Sequence, residues 1–180
     1  PTTTATAASS PSAGKYWWSF DGSNDSLLSG NLGITNACTI VIAGRVNRLT
    51  TIQYLFGEDA NGVGAYIATN GSVGFSKIGV SNFLFSAAGQ VVAGVPFVLT
   101  FRLSGGTATI RNLGAQIATG ATATVFSATT GLKLGMDFAG VLPTGGAIGW
   151  VVPLPAALSD ADCLTVERLV SSQFPNGPVF

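Results

Sequence analysis

The stretch VPFVLTFRLSGGTATIR, residues 95–111, decides the fold. Phe97, Leu99, Phe101 and Leu103 alternate with Val98, Thr100, Arg102 and Ser104, so an extended chain has one strongly apolar face and one mixed face. A period of two with an apolar side predicts a strand packed on a core. Gly105-Gly106 accepts the positive φ of a tight turn and leads into a second strand at residues 107–111, an antiparallel hairpin.

The same grammar runs outward in both directions. Residues 39–46 (TIVIAGRV) are β-branched and apolar, and residues 64–67 and 72–75 flank Asn70-Gly71, a strong hairpin pair. From Lys15 onward short strands are separated by Gly, Asn and Ser, the spacing of an all-β sandwich. Helical periodicity enters only at the end. Ser159 is placed as an N-cap with Asp162 three residues on, Asp160 and Asp162 suit the positive end of the helix dipole, and Leu158 and Cys163 sit at staple positions. Leu164, Val166, Leu169 and Val170 continue an apolar side to Gln173, after which Pro175, Gly177 and Pro178 stop the helix. Residues 1–14 (PTTTATAASSPSAG) contain no large apolar group and form an arm before a single domain at 15–180; the arm is expected to be flexible alone and held by neighbouring subunits.

Composition narrows the function. With 180 residues, 8 basic and 8 acidic side chains and only 9% charge against 47% hydrophobic residues, the chain has no basic field for nucleic acid or for polybasic membrane attachment. There is no histidine, which removes Ser-His, Cys-His and His-zinc chemistry. The apolar runs at 91–101 and 147–158 are interrupted by Gly or Pro and fall short of a membrane-spanning helix. Cys38 and Cys163 match no metal or redox spacing; they read as two buried apolar side chains, with a disulfide open only where the fold brings them together.

Four segments, in order, resemble the concanavalin A-like superfamily in its laminin-G-like branch: FDGSNDSL (20–27), CTIVIAGRV (38–46), VPFVLTFRLSGG (95–106) with its hairpin partner, and LKLG (132–135) followed by GGAIGWVVPLPAALSDADCLTVERL (145–169). The resemblance covers about residues 16–170. It implies a two-sheet antiparallel jelly-roll sandwich with one short C-terminal helix, used elsewhere as a carbohydrate-binding, adhesive or particle-surface module, including bacteriophage virion proteins. Two departures stand out. Pro96 and Phe97 occupy the neighbourhood of a family Trp, and Trp150 stands where the family often has Glu.

Retaining glycoside hydrolysis needs two carboxylates on one strand face, and no E-x-D or D-x-E spacing of that kind occurs, so no catalytic residues are expected. Asp21, Asn24 and Asp25 in one turn, or Glu58, Asp59 and Asn61 in another, offer hard oxygen ligands that would suit calcium, although Asx residues in turns more often bond their own backbone. For glycan binding the aromatic candidates are Tyr16, Trp17, Trp18, Tyr54, Tyr66 and Trp150. Adjacent Trp17 and Trp18 cannot both face a core from one strand, and residues 147–152, apolar on both parities, require cover on a second face from the helix or tail, the arm or another subunit. The sequence therefore predicts a non-enzymatic structural and interaction protein displayed on an assembled particle, a bacteriophage virion surface protein (head decoration or fibre). Its partners are expected to be itself and other subunits through the arm, without cofactor. The alternative is a secreted lectin-like module that binds glycan.

Overall fold

A computed structural model describes residues 6–9, 16–58, 62–77, 81–122, 131–137, 139 and 142–173. It is a two-sheet antiparallel jelly-roll sandwich with one C-terminal helix. The first sheet has seven strands in the order β1 (Thr6–Ser9), β2 (Tyr16–Asp21), β13 (Gly145–Leu154), β4 (Cys38–Val46), β9 (Phe97–Ser104), β10 (Thr107–Asn112) and β11 (Ala115–Ala121). The second has six: β3 (Leu27–Leu28), β12 (Lys133–Leu134), β5 (Gln53–Gly57), β6 (Val63–Ile67), β7 (Val73–Lys77) and β8 (Ser81–Phe85).

The alternation in β9 is realised as read. Phe97, Leu99, Phe101 and Leu103 enter the inter-sheet core with Ile40 and Ile42 of β4, Phe56 of β5 and Phe75 of β7, and Phe101 meets the rings of Phe56 and Phe75 at 5.3 Å each. Gly105 and Gly106 (φ 55° and 81°) close the two-residue hairpin that pairs Ser104 with Thr107. The Asn70-Gly71 turn likewise joins β6 to β7, with Gly71 at φ 75°. Within the expected arm, residues 6–9 lie antiparallel to β2 as an edge strand of the chain's own sheet.

The helix α1 (Asp160–Ser172) begins where the sequence places it. The Ser159 side chain accepts from Asp162 N at 3.1 Å, and its hydroxyl donates to the Asp162 carboxylate at 2.6 Å. Pro175, Gly177 and Pro178 lie outside the described residues. The helix covers the outer face of β4 and β9, where Val41, Ala43, Val98 and Val170 form a second apolar cluster with Trp17, Val152 and Val166 packed against it. A polar clamp fixes this cover. Glu167, fully buried, accepts from Arg111 Nε at 2.8 Å and from the Thr100 hydroxyl at 2.7 Å, while Arg102 donates to Asp160 at 2.6 Å and to the Leu158 carbonyl at 3.0 Å. Arg102 thus points to the outer face, as its parity requires, yet lies under the helix instead of in solvent.

The inner side of β13 joins the inter-sheet core through Ile148 and Val151, while its outer side meets the helix-side cluster through Val152 and leaves Trp150 43% exposed, an arrangement set by a bulge. The register against β4 steps from Ile148↔Gly44 to Trp150↔Ala43, so the extra Gly149 leaves Ile148 facing the inter-sheet core and Trp150 facing outward. Cys38 belongs to the inter-sheet core and Cys163 to the helix over the opposite face, so a sheet separates them and both thiols are free and buried.

Removing Glu167 leaves the buried Arg111 without its buried counter-charge, with only the exposed Asp160 carboxylate at 3.6 Å and the Gly114 carbonyl to face it. Glu167→Ala is expected to lower unfolding free energy by about 3 kcal/mol, whereas the apolar pair Glu167→Leu with Arg111→Met is expected to lower it by clearly less, both read from urea unfolding curves. Burial, then the charge of Glu58, pushes the Cys38 thiol from 9.0 up to about 12. Above pH 9 the folded state therefore holds a proton that the unfolded chain releases, and stability falls as pH rises from about 9 toward 12. The urea midpoint should drop between pH 8 and 10.5, and Cys38→Ala should shrink that drop.

Candidate functional site

The outer face of the six-stranded sheet carries an aromatic row built by register. A bulge at Leu55 turns Leu55 and Phe56 both inward and leaves Tyr54 outward, opposite Tyr66, which pairs in turn with Gly74 and Gly74 with Phe85. The Tyr54 and Tyr66 rings stack at 5.1 Å with 29° between planes, and Phe85 meets Tyr66 edge-on at 5.8 Å. Gly74 makes this arrangement possible, because a Cβ there would come within 2.5 Å of the Tyr66 ring. Tyr66 lies over the glycine and is only 5% exposed, Tyr54 is half-buried, and Phe85 is 47% exposed.

Polar groups frame the row. The Ser76 hydroxyl lies on the same outer face and donates to the Gly64 carbonyl at 3.4 Å, and the Thr144 hydroxyl donates to the Tyr54 carbonyl. Burial raises the Tyr54 phenol above its ordinary value, with the nearby Asp137 carboxylate adding to the shift; burial and then Tyr54 do the same to Tyr66. Both phenols stay neutral donors at physiological pH. The adjacent transverse row is Lys133, Gly57, Gly64 and Ser76, small except for the lysine. Flat rings beside phenol, hydroxyl, carboxylate and ammonium groups suit a ligand with apolar C–H faces and many hydroxyls.

The other aromatic candidates lie elsewhere. Trp17 packs, half-buried, on the helix-side cluster; Trp150 faces the same outer side and is 43% exposed. Trp18, paired with Ile148, takes the inner parity but sits at the rim, 37% exposed. The sequence argument that Trp17 and Trp18 part company holds. Five of the six candidates nevertheless divide: Tyr54 and Tyr66 come together on one sheet, and the three tryptophans belong to the other. Tyr16 begins β2, and its side chain lies outside the described residues. Phe85 was missed, although the alternation of Leu84 and Phe85 in β8, with Leu84 buried, marks it as outward; only the register shows that it completes the row.

The acidic turn closes on itself. Asp21 Oδ1 accepts from Ser23 N at 2.7 Å, Asp25 Oδ2 accepts from Asp21 N at 3.0 Å, Asn24 is exposed, and Arg48 donates to the Gly22 carbonyl at 3.2 Å. In the second acidic turn Glu58 is buried and accepts from Val63 N at 3.0 Å, while Asp59 and Asn61 lie outside the described residues. Among the described residues no group of three or more Cys, Asp or Glu side chains is placed to hold a metal ion, and no helix is long and apolar enough to cross a membrane.

Fold and surface together define a two-sheet jelly roll with one outer face capped by a helix and the other carrying a row of aromatic rings. No protein-family model and no curated protein matches the sequence. Solved structures do match. The carbohydrate-binding module CBM40 of the Ruminococcus gnavus intramolecular trans-sialidase, bound to α2,3-sialyllactose, superposes with a TM-score of 0.63 at 19% identity over 84% of this chain and 97% of that one. The leech intramolecular trans-sialidase matches with a TM-score of 0.64 at 18% identity over 83% of this chain, which spans only 26% of the enzyme. A heptameric pentraxin from Limulus polyphemus matches with a TM-score of 0.59 at 14% identity over 79% and 80% of the two chains. At such identities these neighbours establish the jelly roll and go no further.

Gly74→Val should force the Tyr66 ring off its seat. The expected result is a loss of about 1–3 kcal/mol in urea unfolding together with a changed near-ultraviolet circular dichroism spectrum, as in other overpacked sites.

Proposed function

We propose that this chain is a lectin-like carbohydrate-binding module that works outside the cell, by binding and without catalysis. The observation that carries the reading is the register-built row of Tyr54, Tyr66 and Phe85 on an outer sheet face, framed by Ser76 and Asp137. The carboxylates support a binding role over hydrolysis. Glu58 and Glu167 are buried and engaged, and Asp160 is tied to Arg102 and Arg111, at 2.6 and 3.6 Å. The sialyllactose-bound bacterial module among the structural neighbours favours this reading over a role on a virion surface.

Binding to a panel of sialylated and neutral glycans tests it. Saturable binding to at least one glycan is expected, with Tyr54→Ala or Phe85→Ala weakening it about tenfold, the size of one lost stacking contact, while circular dichroism shows the variants still folded. Trp150→Ala, on the other sheet, should leave that binding intact. Parallel measurements in chelator and in added calcium read whether the ion takes part. A panel on which nothing binds would overturn the proposal.

A further inference from the structure

The helix-bearing side of the seven-stranded sheet is a second surface with its own logic. Its charges are separated along β4. At the start of the strand, Thr39 hydrogen-bonds Leu158 N and the Ala156 carbonyl, which sets the beginning of α1, with Asp160 and exposed Asp162, over that end. At the far end Arg45 points to the same outer face, exposed, with no hydrogen-bond or ion-pair partner among the described residues. Six residues of extended chain place the two ends about 20 Å apart. Between and beside them stand exposed apolar side chains: Trp150 at 43% and, on the outward side of α1, Leu169 at 62%. The turn held to the end of β4 by Gly94 N donating to the Val46 carbonyl at 2.8 Å adds Val92 and Val95 at the rim, 55% and 51% exposed. Trp150 and Leu169 are thus two of the seven large apolar side chains exposed among the described residues, with Val92 and Val95 in the loop at the end of the sandwich.

With Arg45 toward one end, Asp162 toward the other and Trp150 and Leu169 between, beside exposed Asp21 of β2 and Arg168 of α1, rotation of this face by a half-turn sets Arg45 of one copy against Asp162 of the other. We infer that this face pairs two copies of the chain about a two-fold axis near the middle of β4, with Arg45 of each copy against the Asp162 end of the other and Trp150 and Leu169 in the centre. Exposed Trp and Arg are the side chains most enriched at the energetic centres of protein interfaces. The pairing leaves the Tyr54–Phe85 face, on the opposite sheet, open, so a dimer would present two ligand surfaces pointing apart.

Sedimentation velocity and light scattering over a range of concentrations test the inference on the full chain. The wild type should form a dimer, and Arg45→Glu and Asp162→Lys should each weaken it at least about tenfold through like-charge contacts. An equimolar mixture of the two variants should recover a heterodimer, because both of its ion-pair contacts again join opposite charges. Melting curves confirm that each variant is folded, and Leu169→Asp, at a site already exposed, supplies a third variant that should be monomeric. A wild type that stays monomeric at the highest concentration, a dimer indifferent to these changes, a mixture that fails to associate, or a dimer lost instead in Phe85→Asp would each overturn it.

Discussion

The organisation of this molecule depends on covering β4 and β9 on both faces. The inner face is the ordinary core of a sandwich, but the outer face carries Val41, Ala43 and Val98, which a wet antiparallel sheet would not. One amphipathic helix solves the problem and is held by a buried carboxylate shared between Arg111 and Thr100. An ion pair of this kind adds little net stability over an apolar substitute, since both charges are desolvated, yet it penalises any other seating of the helix. The clamp therefore sets where the helix lies more than how tightly the protein folds.

That placement divides the surface into two sides of different character. With the helix on one outer face, no helix among the described residues lies on the other, and there the bulge at Leu55 and the absence of a side chain at Gly74 let Tyr54, Tyr66 and Phe85 overlap. The helix side keeps Trp150 and Leu169 in solvent with Arg45 and Asp162 at opposite ends. Low charge content fits both. With 8 acidic and 8 basic side chains, several of them locked into the helix clamp, much of the remaining surface is apolar or weakly polar and suited to contact.

Much of the architecture was legible in the chain because it is encoded by local rules. The period-two pattern of residues 97–103, the glycine pairs at tight turns and the capped start at Ser159 each act over a few residues, and the structure follows them closely. The candidate site was only half legible. Composition marks aromatic residues as ligand platforms without saying which share a face, so Tyr54 and Tyr66 were grouped with three tryptophans that belong to the other sheet, and Phe85 was absent. At the acidic turn, Asp21 and Asp25 have the chemistry of ion ligands and accept from amides of their own turn.

By itself the sequence determined an all-β sandwich with one terminal helix and no histidine-based chemistry, since strand period, turn residues, caps and composition are properties of neighbours along the chain, and it left the pairing of Cys38 and Cys163 open. Tertiary structure alone decided which faces meet. Cross-strand register, the single-residue bulges at Leu55 and Gly149 and the seat of the helix are set by contacts between segments far apart in sequence, and a shift of one residue in any of them would send Tyr54, Trp150 or Arg45 to the opposite face.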